Sequence, residues 1–142
     1  MPAKFFLKVK TTIHSTSDIG PQIVRAYLSR QHVKEVANSC PMVSLPSDVA
    51  RAGKGAKRAY QKVFEAMVEI LQRGSRNHEQ PDRTTALAIA ALCVGGMVIV
   101  RASHDHPLTE ELRSAAMAVA LRLGGWDDTT GSKARRPRSP HR

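Results

Sequence analysis

Apolar side chains recur at intervals of three and four along several stretches of the chain, which places them on one side of an α-helix. The first stretch begins near Asp18 and carries Ile23, Val24, Tyr27 and Leu28. Ser17 or Asp18 is its expected cap, and Pro21 falls in the first turn, where a missing N–H costs nothing. Asn38-Ser39-Cys40-Pro41 breaks the pattern. A short helical piece is expected around Pro46 to Arg51, after which Gly53 and Gly55 interrupt the chain again. The next helix, Ala56 to Arg73, is the most clearly two-sided. Ala56, Tyr60, Val63, Phe64, Met67, Val68 and Leu71 make one stripe, and Lys57, Arg58, Gln61, Lys62, Glu65, Glu69 and Gln72 the wet side. Gly74 stands where a left-handed C-cap is needed, and residues 75–81 read as a polar loop.

The last two helices differ from these. Asp82 is expected to cap a helix running to about Ser103. Ala88, Ala91, Leu92, Gly95, Ile99 and Ala102 lie along one side of it, mostly small residues. Ala86, Ala90, Cys93, Val94 and Met97 make the other side apolar as well. The final helix, Pro107 to Leu123 with Asp105 as its cap, repeats this. Leu108, Leu112, Ala115, Ala116, Val119 and Leu123 oppose Met117, Ala118 and Leu121, and Gly124 and Gly125 end it. A helix that is apolar all round has to be covered all round. Either the N-terminal helices of the same chain do this, or a second copy does. Small residues let backbones approach closely, and a two-fold pair closes the arrangement as four helices, two from each chain. The candidate dimer interface is therefore Ala88, Ala91, Leu92, Gly95, Ile99, Met117 and Leu121.

The whole reads as all-α: an irregular arm over residues 1–17, a helical domain over 18–124, and a disordered basic tail over 125–142. Apolar residues at 42% and charged residues at 24% exclude wholesale disorder. The longest apolar run, Ala86 to Val100, has 15 residues and two glycines, short of the roughly 20 that span a bilayer. Lys8 and Lys10 cut off Phe5-Phe6-Leu7 before a signal sequence can form. Neither a membrane nor an export route is expected. Cys40 and Cys93 fit a reduced, cytoplasmic protein better than a disulfide scaffold.

The net charge of +10 has two foci. Residues 126–142 carry five bases and two acids, leaving +7 for residues 1–125, and Arg51, Lys54, Lys57, Arg58 and Lys62 enclose no acid. Such charge favours anionic partners without sequence specificity. No catalytic constellation, phosphate loop or cofactor motif is present in the sequence. Gly95-Gly96 lies inside an apolar helix, and His104-Asp105-His106 reads as a turn rather than a metal site. Tyr60, Phe64, Met67, Cys93 and Met97 are core residues first. They are also the candidates to line an adaptable apolar ligand pocket, because methionine conforms to irregular shapes.

The segment Ala86-Leu87-Ala88-Ile89-Ala90-Ala91-Leu92-Cys93-Val94-Gly95-Gly96-Met97-Val98-Ile99-Val100-Arg101-Ala102 resembles the penultimate helix of TetR-type bacterial transcription regulators. As in that family, an Asp and Pro turn and Leu108-Thr109-Glu110-Glu111-Leu112 follow it. Ser39-Cys40-Pro41-Met42-Val43-Ser44-Leu45-Pro46-Ser47-Asp48-Val49-Ala50-Arg51, with Ala26-Tyr27-Leu28-Ser29 before it, is similar to one branch of the family. The resemblance covers about residues 18–124. It implies a regulatory domain, not an enzyme: a homodimer through the last two helices, with a pocket for a small apolar or amphipathic effector. The family's helix-turn-helix head is not found in residues 1–40, so specific DNA binding is expected only with such a head restored. The runner-up reading is a small basic helical protein that binds nucleic acid without sequence preference, through its tail and the Arg51–Lys62 cluster.

Overall fold

The computed structural model describes residues 18–35, 41–44, 46–103 and 106–127. Among these, every element is a helix: α1 (Ile19–Tyr27), α2 (Arg30–Lys34), α3 (Pro41–Ser44), α4 (Pro46–Arg51), α5 (Lys54–Arg73), α6 (Arg83–Ala102) and α7 (Pro107–Leu123). The chain is all-α over the described residues. The expected arm 1–17, the Cys40 segment, His104-Asp105 and tail residues 128–142 lie outside them.

The three long helices start and stop where local chemistry dictates. The Asp82 carboxylate accepts from the Thr85 N–H at 2.7 Å and opens α6. Gly74 closes α5 with φ +60, a conformation that favours glycine. The α7 cap is His106, not the expected Asp105: its Nδ1 accepts from the Leu108 N–H at 3.2 Å, with Pro107 at the first helical position. Asp18 occupies the cap position of α1, but its carboxylate takes the Ser75 hydroxyl instead of a helix N–H. With the Gly20 N–H on the Gly74 carbonyl at 2.9 Å, this ties the start of α1 to the end of α5.

The first helix is interrupted where a single run was expected. Ser29 donates to the Ala26 carbonyl at 2.8 Å and accepts the His32 N–H, ending one helix and capping the next. The carbonyls freed at this elbow are satisfied from far along the chain. Arg113 of α7 donates to the Leu28 carbonyl at 2.8 Å, and Arg101 of α6 to the His32 carbonyl at 2.6 Å. The elbow is thereby fastened to both C-terminal helices.

The core lies where α1, α3 and α5 meet the inner side of α6, with Val24, Leu28, Met42, Val68, Leu71, Ile89, Cys93 and Met97 fully buried. Its last member comes from beyond α7. Gly125 at φ +69 reverses the chain, the Gly125 N–H bonds the Arg122 carbonyl, and the Trp126 N–H bonds the Leu121 carbonyl at 2.9 Å. This is a Schellman turn, which brings the residue after the glycine back onto the helix. Trp126 is only 3% exposed, and its ring lies against Gly20 and Gly124, so close that neither site has room for a Cβ. Trp126 therefore belongs to the folded unit and not to the tail.

Candidate functional site

The outer sides of α6 and α7 enclose a shallow apolar groove of about 600 Å³. Ala88, Ala91, Leu92, Gly95 and Ile99, all expected at an interface, line it from α6. Small side chains make it possible: a Cβ placed on Gly95 would meet nothing within 4 Å. Gly96, one residue on, sits at the crossing of the two helices, where an added Cβ would come within 3.1 Å of the Ala116 Cβ. The α7 wall is Leu112, Ala115 and Val119, with the buried Ala116 at its base. Met117 and Leu121, the residues expected there, pack against the core instead. Periodicity could not choose between two apolar sides of α7; the Arg113 side chain does, because its bond to the Leu28 carbonyl turns that side, with Ala116, Met117 and Ala120, inward.

No acid, base or nucleophile lines the groove, so the face offers burial and not chemistry. Ile99 in its lining is 49% exposed and Val119 38%, and Leu108 and Leu123 near the two ends of α7 are 50% and 45% exposed. Covering the remaining half of one such side chain contributes about 1 kcal/mol.

The five pocket candidates, on α5 and α6, serve as packing. Met67, Cys93 and Met97 are fully buried in the core, and the half-buried Tyr60 and Phe64 pack against that core. The Tyr60 hydroxyl donates to the Met42 carbonyl at 2.9 Å. Burial pushes the Cys93 thiol up to about 12, so it stays protonated and is no nucleophile.

A second cleft, of about 520 Å³, lies between the α5–α6 loop and the end of α7, with His78, Glu79, Asp82 and Arg122 among its walls. Two loops distant in sequence build it, and no motif could have announced it. The Asp82 carboxylate is already engaged at the start of α6, which holds it below the usual range. Among the described residues no group of His, Cys, Asp and Glu could hold a metal ion.

At 20 residues, α6 is longer than the apolar run within it. By length and composition alone it is long and apolar enough to cross a membrane, a test that the core helix of a soluble protein also meets. Its inner face, however, is packed into the core described above. No family model matches this chain, and neither a curated protein nor a solved structure matches it.

Proposed function

We propose that this chain is the effector-binding and dimerisation portion of a TetR-type transcription regulator, acting in the cytoplasm and paired through α6 and α7. The observation that carries the reading is the groove: an apolar face, built largely from small residues on α6 and from half-buried Leu112 and exposed Val119 on α7, without a charged side chain in its lining. Two copies related by a two-fold axis would lay the same face on itself and bury both. The interface residues of α7 are then Leu112, Ala115 and Val119 in place of Met117 and Leu121. An effector would enter between α5 and α6 by displacing the side chains of Met67 and Met97, whose unbranched thioethers repack readily. It would act only through a difference in affinity for two arrangements of the dimer.

Sedimentation velocity tests the pairing. The wild-type chain is expected to sediment as a dimer at micromolar concentration. Ala91→Arg, which puts a charge in the middle of the groove, should give a folded monomer with unchanged helix content. A wild-type chain that remains a single subunit at high concentration would sink the proposal.

A further inference from the structure

A second surface is as one-sided in charge as the groove is in apolarity. Lys54, Arg58 and Lys62 follow one another at every fourth position of α5, about 6 Å apart along the axis, with Lys57 beside them. All four are exposed. The acids nearest in sequence are engaged elsewhere: Asp48 binds Arg51 at 2.9 Å, and Glu65 reaches across to Arg83 of α6 at 2.7 Å. Among the described residues none of the four bases takes part in an ion pair. Lys54 and Lys57 stand in the first turn of the helix, where the backbone dipole is positive and no acid offsets them.

The partner is an anion with charges repeated along a line. The outer side of α5 carries no large exposed apolar residue, so it has no anchor for a bilayer surface. It carries no exposed aromatic ring on which unpaired bases could stack, Tyr60 being turned to the Met42 carbonyl. What remains is a row of point charges suited to phosphates held at fixed spacing. We propose that the Lys54–Lys62 row of α5 docks on the phosphate backbone of duplex nucleic acid without reading its sequence. The row shares no residue with the α6–α7 groove, so a dimer through the groove leaves one row exposed on each subunit. Docking and dimerisation therefore stand or fall separately.

The test uses the full chain and a fluorescently labelled DNA duplex of arbitrary sequence, with affinity read by anisotropy between about 50 and 200 mM salt. Each phosphate neutralised contributes about 0.9 to the slope of log affinity against log salt. Four contacts predict a loss on the order of a hundredfold across that range. Changing Lys54, Lys57, Arg58 and Lys62 together to Gln should weaken binding at low salt at least tenfold and lower the slope by about 3 to 4 per bound chain. Replacing the three lysines by Arg should preserve both. Lys133, Arg135, Arg136 and Arg138, changed to Gln as a control, should leave the contribution of the row intact. If the fourfold variant fails to fold, the pairs Lys54→Gln with Lys57→Gln and Arg58→Gln with Lys62→Gln should each remove about half of the slope change. An unchanged slope on removing the row overturns the proposal, as does a wild-type chain that ignores the duplex at low salt. Binding to phosphatidylserine vesicles that depends on the row, with duplex binding that does not, overturns it in favour of a membrane surface.

Discussion

The two sides of α6 are both apolar and have opposite surroundings. Inward, Ala86, Ile89, Ala90, Cys93, Met97 and Val100 are all fully buried, in a helix that packs against α1, α2, α3, α5 and α7. Outward, Ala88, Ala91, Leu92, Gly95 and Ile99 look onto an open groove. Apolarity alone does not tell a buried face from an open one; what differs is the size and shape of what stands opposite. The inner side carries the longer residues, Ile89 and Met97, which interlock with α1, α3 and α5. The outer side is flattened by alanine and glycine, a shape suited to another helix laid along it.

The sharpest way to break this comparison is to truncate one residue on each side. Met97→Ala removes a fully buried side chain and leaves a cavity, and should cost about 2 to 5 kcal/mol in urea unfolding. Ile99→Ala, half exposed, should cost less than about 1 kcal/mol in dilute solution, because little of that side chain leaves a packed environment. Its cost should grow with protein concentration as self-association begins to contribute to stability. Equal losses for the two variants at high dilution would mean that the outer side is already covered within one chain.

That difference was only half legible in the sequence. The long helices could be bounded to within two residues because each carries its own punctuation: Gly74, Asp82, Pro107 and Gly124. The outward stripe of α6 was legible too, since its small residues are unlike the bulkier ones opposite. The orientation of α7 was not, because both its sides are apolar and an arginine decides between them by reaching a carbonyl 85 residues away in sequence. Trp126 was hidden for a related reason. A lone aromatic followed by a polar tail has no periodicity, and its site is made by two glycines that show no pattern of their own. The Leu123-Gly124-Gly125-Trp126 order does contain the signal, a glycine after a helix followed by an apolar residue. The break at Ser29 is likewise a capping serine set inside an otherwise periodic run. Of the five residues expected to line a pocket, Met67, Cys93 and Met97 are part of the buried core, and Tyr60 and Phe64 pack against it.

A smaller effect comes from the adjacent glycines, which both line the groove, Gly95 in open space and Gly96 where the two helices cross. Gly95→Ala adds a methyl group in open space and removes the cost of glycine in a helix, so the dilute chain should gain about 0.5 to 1 kcal/mol. Gly96→Ala brings the same methyl within 3.1 Å of the Ala116 Cβ, part of a side chain with no rotamer to change, so α7 itself must shift. That variant should gain nothing and lose on the order of 1 kcal/mol. Thermal midpoints at two protein concentrations would sharpen the contrast. The gain from Gly95→Ala should shrink at the higher one if the groove is a helix-packing surface.

The smallest effect separates the two sides by pH. His32 lies on the inner side at the α1–α2 elbow, buried, with Nδ1 2.6 Å from the Tyr27 carbonyl and its ring edge-on to Tyr27. Burial lowers its pKa from the ordinary value near 6.5; the bond to the Tyr27 carbonyl opposes this, Arg101 of α6 adds to it, and Glu35 opposes it weakly. The unfolded chain therefore takes up a proton at a pH where the folded chain does not. Stability is complete above about pH 6.5 and falls as the pH drops below it, by no more than about 1.4 kcal/mol per pH unit for one group. The Glu110 carboxyl, held low by Arg113 and Arg30, and the Asp82 carboxyl, held low by the Thr85 N–H, respond only in more acid solution. Urea unfolding at pH 7.5 and at about pH 5.5 should show this loss in the wild type and a shallower dependence in His32→Phe, even if that variant is less stable throughout. The α6–α7 groove contains no group that titrates in this range. Mild acid should thus loosen the inner packing before it weakens association across the outer side, and a dimer that dissociates with its subunits still fully stable at pH 5.5 would reverse the assignment of the two faces.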